Sequence, residues 1–143
     1  DMYYKSSLML HTLRTVIDND SLWFKIIYEI ANNFKYQTID GDEIINYIEQ
    51  KTGKELYAFF NQYLKQNKIP VFEYSLQKNG RGTTLVFNWN AVENFNMPLL
   101  INTGKEDFWI YPSEDSKELD LGLFDRNTFH IRTDLMYIGV KKL

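Results

Sequence analysis

The sequence predicts an α+β chain, a helical segment over residues 1–68 followed by a small antiparallel β-sandwich over residues 69–143. Two observations divide the chain. Apolar residues recur at close to the helical period of about 3.6 up to Gln66, and at every second position after Pro70. The stretch Asn67-Lys68-Ile69-Pro70 separates the two regimes. A third observation concerns the core: 44% hydrophobic and 16% aromatic residues in a chain of 143 supply the apolar surface for a packed interior, which excludes a disordered chain.

The helical segment resolves into four helices. The first spans roughly Lys5 to Ile17, with Leu10, Leu13 and Ile17 at helical spacing and Leu8, Met9 and Val16 flanking them, and Asp18-Asn19-Asp20 ends it. Ser21 or Asp20 caps a second helix reaching about Phe34, whose Trp23, Ile26, Ile27, Ile30 and Phe34 form one broad apolar face. Asp40 with Glu43 three residues on reads as a capping box for a third helix through Ile48, with Gly53 as its left-handed stop. A fourth runs from Lys54 to Gln66 and presents Leu56, Phe59, Phe60, Tyr63 and Leu64. In the second segment, Val71–Gln77 and Thr83–Asn90 alternate on either side of the turn Asn79-Gly80-Arg81-Gly82, with Leu85, Phe87 and Trp89 on one side. Further strands are expected at 97–102, 107–111, 117–121, 129–132 and 136–141, a spacing that suits a small sandwich.

Several function classes are excluded by what is missing. A net charge of −3 without a basic block offers no surface for tracking phosphates, so nucleic acid is not an expected partner. No apolar run approaches the roughly 20 residues that span a bilayer, and the first five residues do not read as a secretory leader. With no cysteine there is no disulfide, thiolate metal site or cysteine nucleophile. The two histidines, His11 and His130, lie far apart without partners at metal-ligand spacing, and each reads as an ordinary face residue of its element. Nucleotide-binding and serine-hydrolase fingerprints are also absent.

One series of motifs remains. Tyr3-Tyr4-Lys5-Ser6 opens a helix that continues as Leu10-His11-Thr12-Leu13-Arg14. It is followed by Phe34 to Asp40, with an aromatic and then a threonine, and by Thr52-Gly53-Lys54-Glu55-Leu56. Phe59 to Leu64 and Ile69-Pro70 complete it. This ordered series resembles the Tyr-x-Lys-Gly stretch, the links and the last helix of the gluzincin zinc aminopeptidases (peptidase family M1, aminopeptidase N-like). It covers about half of the chain, and the β-rich remainder fits that family's small sandwich domain more loosely.

The resemblance implies that residues 1–68 are the end of a thermolysin-like catalytic domain. Tyr3 then falls on the family's catalytic tyrosine, whose phenol donates a hydrogen bond to the oxyanion formed when zinc-bound water attacks a peptide carbonyl. Tyr4 falls on the variable position, and Ser6 stands where the family has glycine. The zinc ligands, the general-base glutamate and the residues that hold a substrate's amine belong upstream in the family, and no His-Glu-x-x-His occurs in this chain. The implied parent hydrolyses N-terminal peptide bonds, takes a peptide as substrate and carries zinc, while this segment alone is inactive and pairs with the remainder of the catalytic domain. The rival readings are a non-catalytic scaffold or protein-binding module of the same lineage, and a free-standing interaction module. Trp23, Phe24, Phe59 and Phe60 also predict that the isolated helices expose apolar surface and self-associate.

Overall fold

The computed structural model describes residues 2–143, with side chains from Tyr4 onward. The helical segment comprises α1 (Met2–Ile17), α2 (Asp20–Asn33), α3 (Gly41–Thr52) and the single turn α4 (Tyr57–Phe60), which passes directly into a π-helical turn at Asn61–Lys65. Strands β1 (Val71–Asn79), β2 (Gly82–Asn90), β3 (Leu99–Asn102), β4 (Asp107–Ile110), β5 (Lys117–Gly122), β6 (His130–Ile131) and β7 (Gly139–Lys142) follow. This is the expected α+β architecture of helices followed by two sheets.

The helix boundaries follow local chemistry. In α3 the Asp40 carboxylate accepts the Glu43 N–H at 2.9 Å, and Gly53 adopts φ 68° to return its N–H to the Glu49 carbonyl. The α2 cap is Asn19 rather than Ser21 or Asp20: its side chain accepts from Leu22 N at 3.0 Å. Asp20 becomes the first helical residue, where its carboxylate pairs with Arg14 at 2.9 Å and faces the positive end of the helix. The fourth helix is shorter than expected. Glu49 captures Leu56 N at 2.8 Å, residues 54–56 stay outside regular structure, and helix entry is delayed to Tyr57. The wider π turn then brings both Gln62 and Tyr63 inward beside Phe59 and Phe60.

The sheets have orders β5-β2-β1-β7 and β4-β3-β6. The β1–β2 hairpin closes at the Asn79–Gly82 pair with Gly80 at φ 62°, as a two-residue turn with glycine first requires. Thr83, Leu85, Phe87 and Trp89 of β2 all face the interior. All the pairings are antiparallel except that of β7, which runs parallel to β1. A returning C-terminal strand can lie beside β1 this way because residues 133–138 cross from one sheet to the other before it.

One hydrophobic core joins both segments, with Met9, Leu13, Val16 and Ile17 of α1, Trp23 and Ile26 of α2, and Phe72, Trp89, Leu99, Ile101 and Met136 from the strand region. The buried stripe of α1 is therefore rotated from the expected one, since Met9 lies inside and Leu10 is 43% exposed. Both stripes satisfy the helical period, and only the partner surface selects between them. Two ties cross between the segments at α1: Thr12 Oγ1 accepts the Tyr137 N–H at 2.8 Å, and Thr15 Oγ1 donates to the Leu135 carbonyl at 3.1 Å.

Candidate functional site

Tyr3, on which the family resemblance places the catalytic phenol, lies in the first turn of α1, and its side chain falls outside the described residues. The surroundings of that turn are described. Tyr4 is 65% exposed, Ser6 is half-buried, and the Lys5 ammonium donates to the Gln66 carbonyl at 2.6 Å, tying the start of α1 to the end of the π turn. Ser6 has an ordinary helical backbone within α1.

The two histidines do not converge into a site. His11 is exposed on α1 and borders a depression of about 460 Å³ with Arg14, Thr15, Leu100, Trp109 and Leu135. His130 is exposed at the start of β6, where its Nδ1 lies 3.0 Å from the Thr128 carbonyl. Among the described residues no group of three or more histidine, aspartate or glutamate side chains is arranged to hold a metal ion. The donor set of these residues therefore does not fit a catalytic zinc, which needs three converging protein ligands.

Another depression of about 460 Å³ gathers Glu49, Glu55 and Glu93 with Asn61, Asn94 and Asn96. Glu49 is already committed there to the Leu56 amide. Between α2 and α3, Tyr47 donates to Glu29, which holds that carboxylate below the usual range and pushes the phenol up. Lys51 and Lys25 stand 3.5 and 3.8 Å from the same carboxylate. This cluster fastens two helices and leaves no free base or nucleophile. The Tyr63 phenol is also pushed up, chiefly by burial, so it remains a protonated donor throughout the working pH range.

What the helices do present is an apolar outer face. Along α2, Phe24, Ile27 and Tyr28 are 57, 44 and 70% exposed and follow one another at i, i+3 and i+4, on the side away from buried Trp23 and Ile26. Arg14 of α1 lies 5.0 Å over the Phe24 ring. The expected surplus of apolar surface is thus present at Phe24, whereas Trp23, Phe59 and Phe60 are buried. Tyr63 packs on Phe59 and stacks on Tyr137, so the strand region supplies part of the cover that four short helices lack. The expected single apolar face of α2 is in fact two, because Ile27 points outward. A helix apolar on both sides signals a second packing partner, and that signal was present in Phe24, Ile27 and Tyr28.

No family model matches the sequence, and no curated protein matches it. Among solved structures, the chain is similar to an aminopeptidase A from Legionella pneumophila, crystallised in complex with aspartic acid. The TM-score is 0.77 at 15% sequence identity, covering 96% of this chain and 17% of that one. The chain spans about a sixth of that protein's length, and likeness at this identity is likeness of fold. Over 96% of its length the chain therefore has the fold of one segment of that aminopeptidase.

Proposed function

We propose that this chain is the C-terminal part of a zinc aminopeptidase of the gluzincin type, inactive by itself, with Tyr3 as its catalytic contribution. The fold likeness to an aminopeptidase segment over 96% of the chain carries the reading, and the ordered motifs from Tyr3 to Pro70 support it. In this reading residues 1–68 complete the catalytic domain and residues 69–143 form the β-sandwich beside it. In the same reading the zinc is held by polypeptide outside this chain.

The chemistry left to this chain is electrostatic. A peptide carbonyl under attack gathers negative charge on its oxygen, and a neutral donor fixed beside that oxygen is worth about 10²- to 10³-fold in rate. A phenol suits the task because it stays protonated at neutral pH and its rigid ring carries the donor across a cleft. The outer face of α2, with Phe24, Ile27 and Tyr28, is then the surface on which the remainder of the catalytic domain packs.

The test is made on the longer polypeptide. An aminopeptidase releases the N-terminal residue of a chromogenic aminoacyl substrate, loses that activity to a chelator and regains it with zinc. A scaffold of the same lineage folds identically but binds no zinc and turns over no substrate, and that result would refute the proposal.

A further inference from the structure

We propose that Thr12 and Tyr63 are positioning residues that together lock α1, the helix carrying Tyr3, by holding the backbone of Tyr137 on both its polar groups. The proposal rests on the assignment of Tyr3 to the oxyanion. Thr12 and Tyr63 are 0 and 1% exposed. The Thr12 hydroxyl donates to the Leu8 carbonyl at 2.8 Å and accepts the Tyr137 N–H at 2.8 Å, while the Tyr63 phenol donates to the Tyr137 carbonyl at 2.7 Å. A threonine whose hydroxyl merely returns to the preceding helical turn is common in helices. Here the same oxygen also satisfies a backbone donor that lies 125 residues away in sequence.

The held segment is itself hydrogen-bonded at both ends. Arg132 N–H bonds to the Leu100 carbonyl at 3.0 Å on one sheet, and Gly139 N–H bonds to the Pro70 carbonyl at 2.9 Å on the other. Met136 between them is 2% exposed. Tyr137 is therefore a fixed point of the strand region, and Thr12 registers the middle of α1 to it. Thr15 adds less, because its one proton is shared between the His11 and Leu135 carbonyls at 3.0 and 3.1 Å.

The leverage follows from helix geometry. Thr12 lies nine positions after Tyr3, about 14 Å along the axis at a rise of about 1.5 Å per residue. A tilt of about 5° at Thr12 displaces the first turn by about 1 Å, and misplacement of that size costs a reaction up to about 10²-fold.

Three variants test the lock: Thr12→Val, which keeps the shape and removes the hydroxyl, Tyr63→Phe, which removes the phenolic oxygen, and Thr12→Ser, which keeps the hydroxyl. In the 143-residue chain, residue-resolved amide hydrogen exchange should rise about 10-fold in α1 for the first two variants. It should stay within about 2-fold in β1 and β2, with Thr12→Ser close to the parent sequence. In the active longer protein, Thr12→Val should lower kcat about 10-fold with little change in KM. Placed on Tyr3→Phe it should cost almost nothing more, because the position of an absent phenol no longer matters. Exchange that rises uniformly over the chain, or not at all, overturns the lock. An equal Thr12→Val loss with and without the Tyr3 phenol overturns its catalytic consequence. A Tyr3→Phe protein with undiminished kcat instead overturns the oxyanion reading on which that consequence rests. Should Thr12→Val fail to fold, Tyr63→Phe and Thr12→Ser carry the same comparison.

Discussion

Replacing Gln62 with leucine removes two hydrogen bonds from a place that water barely reaches. The side chain is 3% exposed, donates to the Lys68 carbonyl at 2.6 Å and accepts the Val92 N–H at 2.7 Å, so one amide joins the π turn to the strand-leading link and to the loop after β2. The Lys68 carbonyl sits in an exposed stretch and can turn to water, at a cost of about 0.5–1 kcal/mol. The half-buried Val92 N–H has no such recourse, and leaving it unpaired costs about 1–3 kcal/mol. A net loss of about 2 kcal/mol, with a urea slope of about 2 kcal/mol/M, lowers the unfolding midpoint by about 1 M. Gln62→Glu adds a pH signature. A protonated glutamate reproduces both bonds, whereas the carboxylate loses the donor and is buried, so its folded pKa rises above the unfolded value of about 4.3. The folded state then holds more protons than the unfolded chain, and stability falls as pH rises through that window. Urea titration at pH 4 and pH 7 measures both effects. A Gln62→Leu shift below about 0.3 M with unchanged slope, or a Gln62→Glu stability independent of pH, would refute the reasoning.

Three further outcomes are expected. Asp40→Ala should cost about 1 kcal/mol by uncapping α3 while Asp40→Asn costs little, which thermal unfolding resolves. Tyr36, at φ 62° and 95% exposed, occupies a left-handed conformation unfavourable to an aromatic residue, so Tyr36→Asn should raise stability by about 0.5–1 kcal/mol in chemical denaturation. Asn102 and Arg132 hold Asp107, and Arg132 holds Asp134, below the ordinary carboxylate range. Their stabilisation is present above the unfolded value of about 3.9 and lost as pH falls through the lowered folded values, so Arg132→Met should flatten the stability profile below pH 4.

The features legible in the sequence are those set within a few residues. Asp40 with Glu43 starts α3, Gly53 ends it, and Gly80 turns a hairpin whose alternation put Leu85, Phe87 and Trp89 inside, because each depends on local backbone geometry. What escaped depends on distant partners. Leu10 and Met9 fit the helical period equally, and the surface under α1 chose Met9. The π turn accompanies the reach of Gln62 to Lys68 and Val92 and the hold of Glu49 on Leu56, contacts that periodicity does not encode. Thr12 stood in the sequence only as one member of a motif, and its purpose appears with Tyr137 beside it. For the candidate site, the motif series points to Tyr3 by resemblance alone, while the outer apolar face of α2, signalled by Phe24, Ile27 and Tyr28, separated from the buried face once Ile27 was seen to point outward.

The central claim is that Tyr3 supplies a donor to the reacting carbonyl oxygen, and Tyr3→Phe in the zinc-loaded longer protein tests it most directly. Phenylalanine keeps the ring and deletes only the hydroxyl, and Tyr4→Phe, at a position 65% exposed, controls for effects on folding. With a chromogenic aminoacyl substrate, Tyr3→Phe should lower kcat by about 10²- to 10³-fold while KM changes much less, because the lost bond belongs mainly to the transition state. Tyr4→Phe should leave both constants near those of the unsubstituted protein. A Tyr3→Phe enzyme with near-normal kcat and full zinc occupancy would contradict the account, leaving Tyr3 an aromatic residue at a helix start.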